Sequence, residues 1–304
     1  MRILNFGSLN WDKTYRVPHF VRGGETICAL ALTQSPGGKG LNQSVALGRA
    51  GADVAHAGAV GADGAPLRAL LEAAGADTSR LRTAGEASGH AVIQLCGGEN
   101  CIIVYGGANR TPVPADVDAF LAGYGPGDLL LVQNETSCVP YAMRRAKAQG
   151  MAVALNPSPI DETLTPDVLA LADVLFVNET EAGALTGADA QDADALLRAL
   201  AARFPAAQLV LTLGEKGAAY LSGGARLYQR AYPVTAADTT AAGDTFTGFF
   251  LAAMARNLPP KTCLRCAALA AALAVSRPGA ADSIPTWAQM KAFGEASGED
   301  MQGL

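Results

Sequence analysis

The chain has 304 residues, 50% of them hydrophobic, with a net charge of -5 and a pI near 5.3. That apolar content can fill the core of one large α/β domain or two smaller ones. An acidic balance without clustered Lys or Arg argues against a nucleic-acid or anionic-membrane surface.

In chain order, MRILNFG, DVAHAGAVG, DLLLVQNE, MAVALNP, VLFVN and LVLTLG read as short buried strands. Helical patterns lie between several of them, at Pro66 to Ala74, Pro140 to Gln149 and Ala193 to Ala202. Such alternation predicts a mostly parallel, doubly wound α/β sheet covered by helices. Ligands bind such sheets beyond the carboxyl ends of the strands. The informative residues fall there in sequence: Asn10 and Asp12, then Asn134 and Glu135, Asn156, Asn178 and Glu181, and Gly214. Residues 1–10 read as a strand ending in a turn rather than a signal peptide. No apolar run reaches membrane-spanning length, and the expectation is a cytoplasmic protein.

Two stretches break the alternation. Tyr15 to Gln34 and Gly89 to Tyr105 carry β-branched and aromatic residues with GGET and GGEN turns, and no helix between. A small separate sheet acting as a lid is the functional reading; an edge extension or a dimerisation surface is the plain one.

The cluster SPGGKGLNQSVALGRAGA, Ser35 to Ala52, places Gly37, Gly38 and Gly40 in a tight turn before a helix over Asn42 to Ala50. It is neither GxxxxGK[ST] nor GxGxxG. Close helix-to-strand packing would explain the glycines alone. Lys39 and Asn42 add donors, and with Asn10, Asp12 and Glu135 they suit a polyhydroxylated ligand. The strongest local signal is DTTAAGDTFTGFF, Asp238 to Phe250. Ala241, Ala242 and Gly243 let the backbone approach a ligand, and the helix that follows offers unpaired amides to an anion. A carboxylate beside an anion hole is repulsive unless it has a task, so Asp244 reads as the base for a nucleophile attacking that anion. That is phosphoryl transfer.

Six cysteines lie in apolar surroundings and form no disulfide framework; Cys263 and Cys266 make a CxxC without a second pair or histidine at ligand spacing. His19, His56 and His90 read as surface or packing residues. A nucleotide-dependent oxidoreductase would need a glycine fingerprint directly after the first strand, where GSLNWD stands instead.

Taken in order, GSLNWD at Gly7 to Asp12, GGKGLNQ at Gly37 to Gln43, GGAN at Gly106 to Asn109, NPSP at Asn156 to Pro159, NETEA at Asn178 to Ala182, TLGEKG at Thr212 to Gly217 and DTTAAGD at Asp238 to Asp244 resemble the motifs of the ribokinase-like carbohydrate kinases. The resemblance spans nearly the whole chain. It implies a three-layer α/β fold as a single domain over residues 1–304, with lid segments at about 13–35 and 89–106 that often clasp a partner subunit into a homodimer. The implied activity is ATP-dependent phosphorylation of a sugar primary hydroxyl, first of all D-ribose to D-ribose 5-phosphate. Another pentose, a hexose or a nucleoside is the alternative substrate, and a catalytically silent sugar-binding module the non-kinase alternative.

The resemblance also assigns roles. Asp244 is the general base, with the amides of Ala241, Ala242, Gly243 and Asp244 as the anion hole. Asn10, Asp12, Gly38, Lys39, Asn42 and Glu135 match sugar-binding positions. Asn178 and Glu181 match a motif that organises magnesium and phosphate through water. Thr212, Gly214, Gly217, Gly243 and Ala268 belong to the nucleotide site. Asp238, Thr240, Ala274, Arg277, Gly279 and Ser283 fall at the spacing of a potassium site; capping of a turn by Asp238 is the plain alternative. Two positions depart from the family pattern. Trp11 is bulkier than the residue often found there and is expected to narrow or re-aim the sugar pocket, and Ala268 stands where relatives often carry Asn or His. A nucleoside would need a stacking surface, for which Tyr105 of the lid is the candidate.

Overall fold

Short runs of buried aliphatic residues, each closed by a glycine, proline or asparagine, set the frame of the molecule. The computed structural model describes residues 1–304. In chain order its elements are β1 (Ile3–Phe6), β2 (Asn10–Arg16), β3 (Ala31–Gly37), α1 (Lys39–Arg49), β4 (Val54–Val60), α2 (Ala65–Ala73), β5 (Asp77–Thr83), β6 (Gly89–Cys96), β7 (Glu99–Tyr105), α3 (Pro114–Leu121), β8 (Leu129–Gln133), α4 (Val139–Ala148), β9 (Ala152–Asn156) and α5 (Pro166–Leu169). There follow β10 (Val174–Asn178), α6 (Glu179–Thr186), α7 (Ala193–Arg203), β11 (Gln208–Thr212), β12 (Ala218–Ser222), β13 (Ala225–Gln229), α8 (Ala242–Ala255), α9 (Pro260–Val275) and α10 (Trp287–Ala296).

A nine-stranded sheet has the order β13, β12, β11, β10, β9, β8, β1, β4, β5. Strands β11 through β5 pair in parallel, and β12 and β13 close one edge in antiparallel fashion. Successive residues point to opposite faces. Ile3, Leu129 and Leu131 therefore join one apolar cluster with α1, α8 and α9, while Leu4, Leu130 and Val132 join another with α4, α6 and α7. Both faces are covered, which is why these strands read as continuous apolar runs.

The remaining strands form a four-stranded sheet in the order β3, β2, β6, β7. It takes in the stretch Gly89 to Tyr105 and both ends of Tyr15 to Gln34, whose residues 17–30 run outside the strands. The fold class read from the sequence holds: a three-layer α/β body with a smaller sheet. Strands β5, β12 and β13 escaped the sequence reading. β5 and β13 are the sheet edges and carry polar residues on one face, whereas β12 is a five-residue strand apolar on both faces; β12 and β13 are joined at Gly223 and Gly224, with φ values of 55° and 82°.

Helix α1 begins at Lys39, three residues before the expected start, so Lys39 and Asn42 share its first turn. It packs on α8 at Gly248, where an added Cβ would stand 2.4 Å from the Cβ of Ala46. Glycine in mid-helix costs about 1 kcal/mol relative to alanine, so its place here answers to this contact. Gly248→Ala gains that propensity but overpacks the helix pair, at about 1–3 kcal/mol. The variant is expected to melt several degrees lower by calorimetry and to lose activity more than stability, because the same contact sets the distance between the helix ends. A raised melting temperature would contradict the tight packing.

Candidate active site

Gly248 lies one turn after Asp244 on α8, and Ala46 one turn after Asn42 on α1. Their contact therefore aligns the first turns of the two helices, and Asp244 meets α1. Its Oδ2 accepts from Asn42 Nδ2 at 3.0 Å and its Oδ1 from Gln43 Nε2 at 2.8 Å. Burial drives the carboxyl upward, Lys39 and the two amides pull it back, and the balance is about 6. At neutral pH the group is roughly nine-tenths ionised, yet far more basic than a free aspartate.

The backbone before α8 supports the anion-hole reading with one correction. Ala241 takes a left-handed conformation, φ 61° and ψ 9°, and Ala242 opens the helix. A left-handed residue followed by a helical one turns successive N–H groups into one concavity. The amides of Ala241, Gly243 and Asp244 have no partner, whereas Ala242 N donates to Thr239 O at 3.3 Å. Three free amides are thus left to face an anion, the fourth being held in the turn.

Lys39 stands across from Asp244. Burial would lower its ammonium, but the carboxylates of Glu135 and Asp244 outweigh that and raise it. Glu135 Oε1 accepts from Lys39 Nζ at 3.2 Å, and its Oε2 accepts from the Lys39 backbone N at 3.1 Å and from the Ser8 hydroxyl. Glu135 therefore caps α1, a second duty beside the sugar contact expected of it. Ser8, missed in the sequence, ties the end of β1 to the same carboxylate.

Asn10 and Asp12 occupy one face of β2, over β3. The Asp12 carboxylate lies where a Cβ on Gly37 would stand, 2.1 Å from its Oδ2, so only glycine fits that position. Desolvation, then Glu135 and Asp244, push Asp12 up to about 6 against the pull of Lys39. Asn10 Oδ1 accepts from Asn109 Nδ2 at 2.8 Å, and Asn109 also grips both backbone groups of Leu9. Gly38, with φ 93°, is the residue before α1 and packs against Ser8 and Asn10.

Strand register corrects two readings. Trp11 pairs with His90, and His90 with Tyr105, so these rings share the face opposite Asn10 and Asp12. Trp11 packs on the main core and its Nε1 donates to Asp63 O at 3.4 Å. It does not narrow the sugar pocket. Tyr105 packs tilted against His90, with ring centroids 5.1 Å apart and the planes at 44°, and on that face it offers no surface to a base over the site.

Two cavities meet at Thr239 and Ala242. One of about 190 Å³ is polar and is bordered by Lys39, Asn178, Glu181, Thr212, Ala241 to Asp244 and Thr247. The other, of about 650 Å³, is largely apolar and includes Gly214, Gly217, Tyr232, Val234, Phe246 and Ala268. An anion in the first and a flat apolar ring in the second would be adjacent. Asn178 and Glu181 form a reciprocal cap of α6, Asn178 N donating to Glu181 Oε2 at 3.0 Å and Glu181 N to Asn178 Oδ1 at 2.8 Å. Glu181 Oε1 is left free at the polar cavity. No cluster of three or more His, Cys, Asp or Glu gathers anywhere to chelate a metal. A single carboxylate fits a cation that keeps most of its waters and leans on phosphate.

Asp238 caps its turn, as the plain alternative had it, and also reaches across: its Oδ1 accepts from Thr240 N at 2.9 Å and its Oδ2 from Gly279 N at 3.1 Å. Burial raises this carboxyl, but the Thr240 and Gly279 bonds prevail and hold it low. The carbonyls of Thr240, Arg277 and Gly279 accept no hydrogen bond, while that of Ala274 accepts from Arg277 N. Ser283 lies in the short turn after Ala280, whose carbonyl accepts its hydroxyl. Cys263 and Cys266 are buried in α9, and desolvation raises them to about 12 and about 11. They are inert packing residues.

The chain is similar throughout its length to proteins already known. Residues 2–287 match the family model described as pfkB family carbohydrate kinase. The chain is 36% identical over 288 residues to a ribokinase of Haemophilus influenzae, covering 92% of this chain and 94% of that protein. A ribokinase of Arabidopsis thaliana complexed with ribose and ATP superposes with a TM-score of 0.86 at 31% identity, over 96% of this chain and 98% of that one. A ribokinase of Cryptococcus neoformans in complex with ADP gives 0.81 at 34% identity, over 96% and 98%.

The Asp244 balance can be checked directly. In a carbon-13 titration the Asp244 carboxyl should have its midpoint near 6, and Lys39→Met should raise it by removing the facing positive charge. A lowered midpoint would show that Lys39 does not face the carboxylate.

Proposed function

The chain belongs to the pfkB family of carbohydrate kinases, and we propose that it transfers the γ-phosphoryl group of ATP to the primary hydroxyl of D-ribose, giving D-ribose 5-phosphate. The observation that carries this reading is Asp244 itself: an ionised but basic carboxylate, held by two amides, beside three free backbone N–H groups where a polar and an apolar cavity meet. A nucleoside acceptor lacks support, since Tyr105 lies on the far face of the smaller sheet.

In this mechanism Asp12, Asn10 and Glu135 hold the sugar hydroxyls, each carboxylate accepting and Asn10 also donating. Asp244 takes the proton from the attacking hydroxyl. The amides of Ala241, Gly243 and Asp244, with the Lys39 ammonium, meet charge developing on the transferred group. Positioning and fixed dipoles do the work, since phosphoryl transfer asks little covalent chemistry of the protein. Thr212 borders the phosphate end of the nucleotide, and Gly214, Gly217 and Ala268 border its apolar end. Glu181, through water, with Asn178 orienting it, would hold magnesium, which neutralises phosphate charge when bound. A potassium ion is assigned to the loop joined by Asp238, where the carbonyls of Thr240, Arg277 and Gly279 lack donors, with Ala274 and Ser283 as neighbours. It would supply an activating charge behind the anion hole.

The reading extends to organisation. Residues 1–304 act as one kinase domain whose four-stranded sheet is a lid. Its strand β7 is exposed along its whole length, with Ile103 at 62% and Val104 at 64%. Such an apolar strand fits a homodimer in which two lids cover each other. No helix is long and apolar enough to cross a membrane. Six unpaired cysteines suit a reducing compartment, and we place the reaction in the cytoplasm.

ATP turnover should require ribose and exceed that with other pentoses, hexoses or nucleosides, and chelation of magnesium should abolish it. Asp244→Asn should lower kcat by about 10²–10⁴-fold with ribose binding retained. A protonated base is inactive, so kcat/KM should rise with pH through about 6 and level off above it. Ribose-independent turnover, or an unimpaired Asn variant, would refute the assignment. Sedimentation should give a dimer that Ile103→Glu with Val104→Lys dissociates; an unaltered sedimentation coefficient would rule out the lid as the interface.

A further inference from the structure

Behind Asp244 lies a run of buried amides that the reaction itself does not use. Asn5, Gln43, Ser44, His56 and Gln133 are each 0% exposed. Their hydrogen bonds form one connected chain, and its direction is fixed by backbone carbonyls, which can only accept.

At one end, His56 Nε2 meets Gly7 O at 3.2 Å, so Nε2 carries the proton and Nδ1 accepts from the Ser44 hydroxyl at 2.8 Å. Asn5 Nδ2 faces Gly40 O at 2.8 Å and Ser44 Oγ at 2.8 Å, which turns Asn5 Oδ1 toward Gln133. Gln133 must then present its amino group. It gives one N–H to Asn5 Oδ1 at 3.0 Å and one to Gln43 Oε1 at 2.6 Å. Gln43, so held, points its own amino group at Asp244 Oδ1 and at Asn156 Oδ1. Asn156 is oriented in turn by Phe176 O, which accepts from its Nδ2 at 3.2 Å.

Gln133 is the node of this chain. Both of its N–H groups are used, while its Oε1 has no partner and lies over Gly7, 2.3 Å from where a Cβ would stand. An orphaned buried acceptor costs about 1–3 kcal/mol. The opposite rotation of the amide would pair that oxygen with nothing better, since Asn5 and Gln43 both offer oxygens. The unpaired atom is thus tolerated where the two donors are required.

We propose that Gln133, which touches neither Asp244 nor the cavities, is a positioning residue for the catalytic carboxylate, acting through Gln43 by fixing which end of its amide faces Asp244. Rotated by half a turn, Gln43 would aim a carbonyl oxygen at the carboxylate, replacing a stabilising donor with a repulsive dipole. This rests on Asp244 being the base in the function proposed above. The other groups facing Asp244 are Lys39 from α1, Glu135 after β8 and Asp12 from β2, with Glu181 from α6 beyond Lys39. None of them belongs to the chain of amides.

The test is a thermodynamic cycle on the carbon-13 titration of the Asp244 carboxyl, assigned by difference from Asp244→Asn. Gln133→Met removes both donors at similar volume and should raise the midpoint by about half a pH unit or more, a threefold gain in proton affinity. The acid limb of kcat/KM should move with it while KM for the sugar is unchanged. Gln43→Met should raise the midpoint at least as much, and adding Gln133→Met to it should produce no further rise. An unchanged midpoint in Gln133→Met, or a shift that persists in the Gln43→Met background, overturns the proposal. Should Gln133→Met not fold, Gln133→Leu, likewise neutral and without a donor, is judged by the same criterion. The titration reads Asp244 whatever the acceptor is. Failure of the ribose assignment would therefore register separately, as missing ribose-dependent turnover with the cycle intact.

Discussion

The site depends on two helices touching with only the methyl group of Ala46 between them. At Gly248 and Ala46 the contact is close enough that a second methyl group would not fit. The distances between Asp244 and its two amide donors follow from it, because Asn42 and Gln43 lie about one turn before Ala46, and Asp244 one turn before Gly248. Phosphoryl transfer works by placement, so a packing constraint in the core becomes a chemical one at the helix ends. Gly40 repeats the device at the start of α1, where a Cβ would meet the backbone of Gly7 and Ser8.

Electrostatics at Asp244 is a contest between burial and company. Desolvation is the largest influence and pushes the carboxyl toward the neutral form. The nearby ammonium and two amide donors hold it at about 6, ionised yet able to accept a proton. The balance explains why the surroundings are amides and one lysine rather than an arginine clamp. Stronger pairing would keep the charge but remove the basicity that proton transfer needs. It also gives the buried amides a reason to be polar at all, since apolar residues in their place would fill the volume and let the carboxyl drift upward.

Much of this was legible in the sequence, for identifiable reasons. Parallel strands buried on both faces give continuous apolar runs, so β1, β4, β8, β9, β10 and β11 stood out, whereas β5 and β13 have a polar face and β12, AAYLS, holds only one branched aliphatic residue, and they did not. Asp244, Lys39, Asn42 and Asp12 were found because turns and glycines mark where the chain meets a ligand. Register was invisible: only the pairing of β2 with β6 and of β6 with β7 reveals that Trp11 and Tyr105 face away from Asp12. Asn5 and Gln133 each carry an amide in an otherwise apolar strand, a signal that was present. Its direction was not, because an amide in a sequence has no orientation until backbone carbonyls supply one. The engagement of the Ala242 amide is likewise a matter of turn geometry that composition cannot express.

Asp12 and Asp244 are mounted on different sheets. In the proposed mechanism Asp12, which would hold the sugar, belongs to the strands β3, β2, β6 and β7, while Asp244, which would activate it, belongs to a helix packed on the nine-stranded body. Part of recognition is therefore separable from reactivity, with Glu135, after β8, the sugar contact that stays with the larger sheet. Substitutions accumulating in the small sheet can exchange one acceptor for another while the phosphoryl-transfer geometry, locked by helix contacts elsewhere, passes unchanged from ancestor to descendant. A scaffold divided in this way can diversify its substrates without having to reinvent its chemistry.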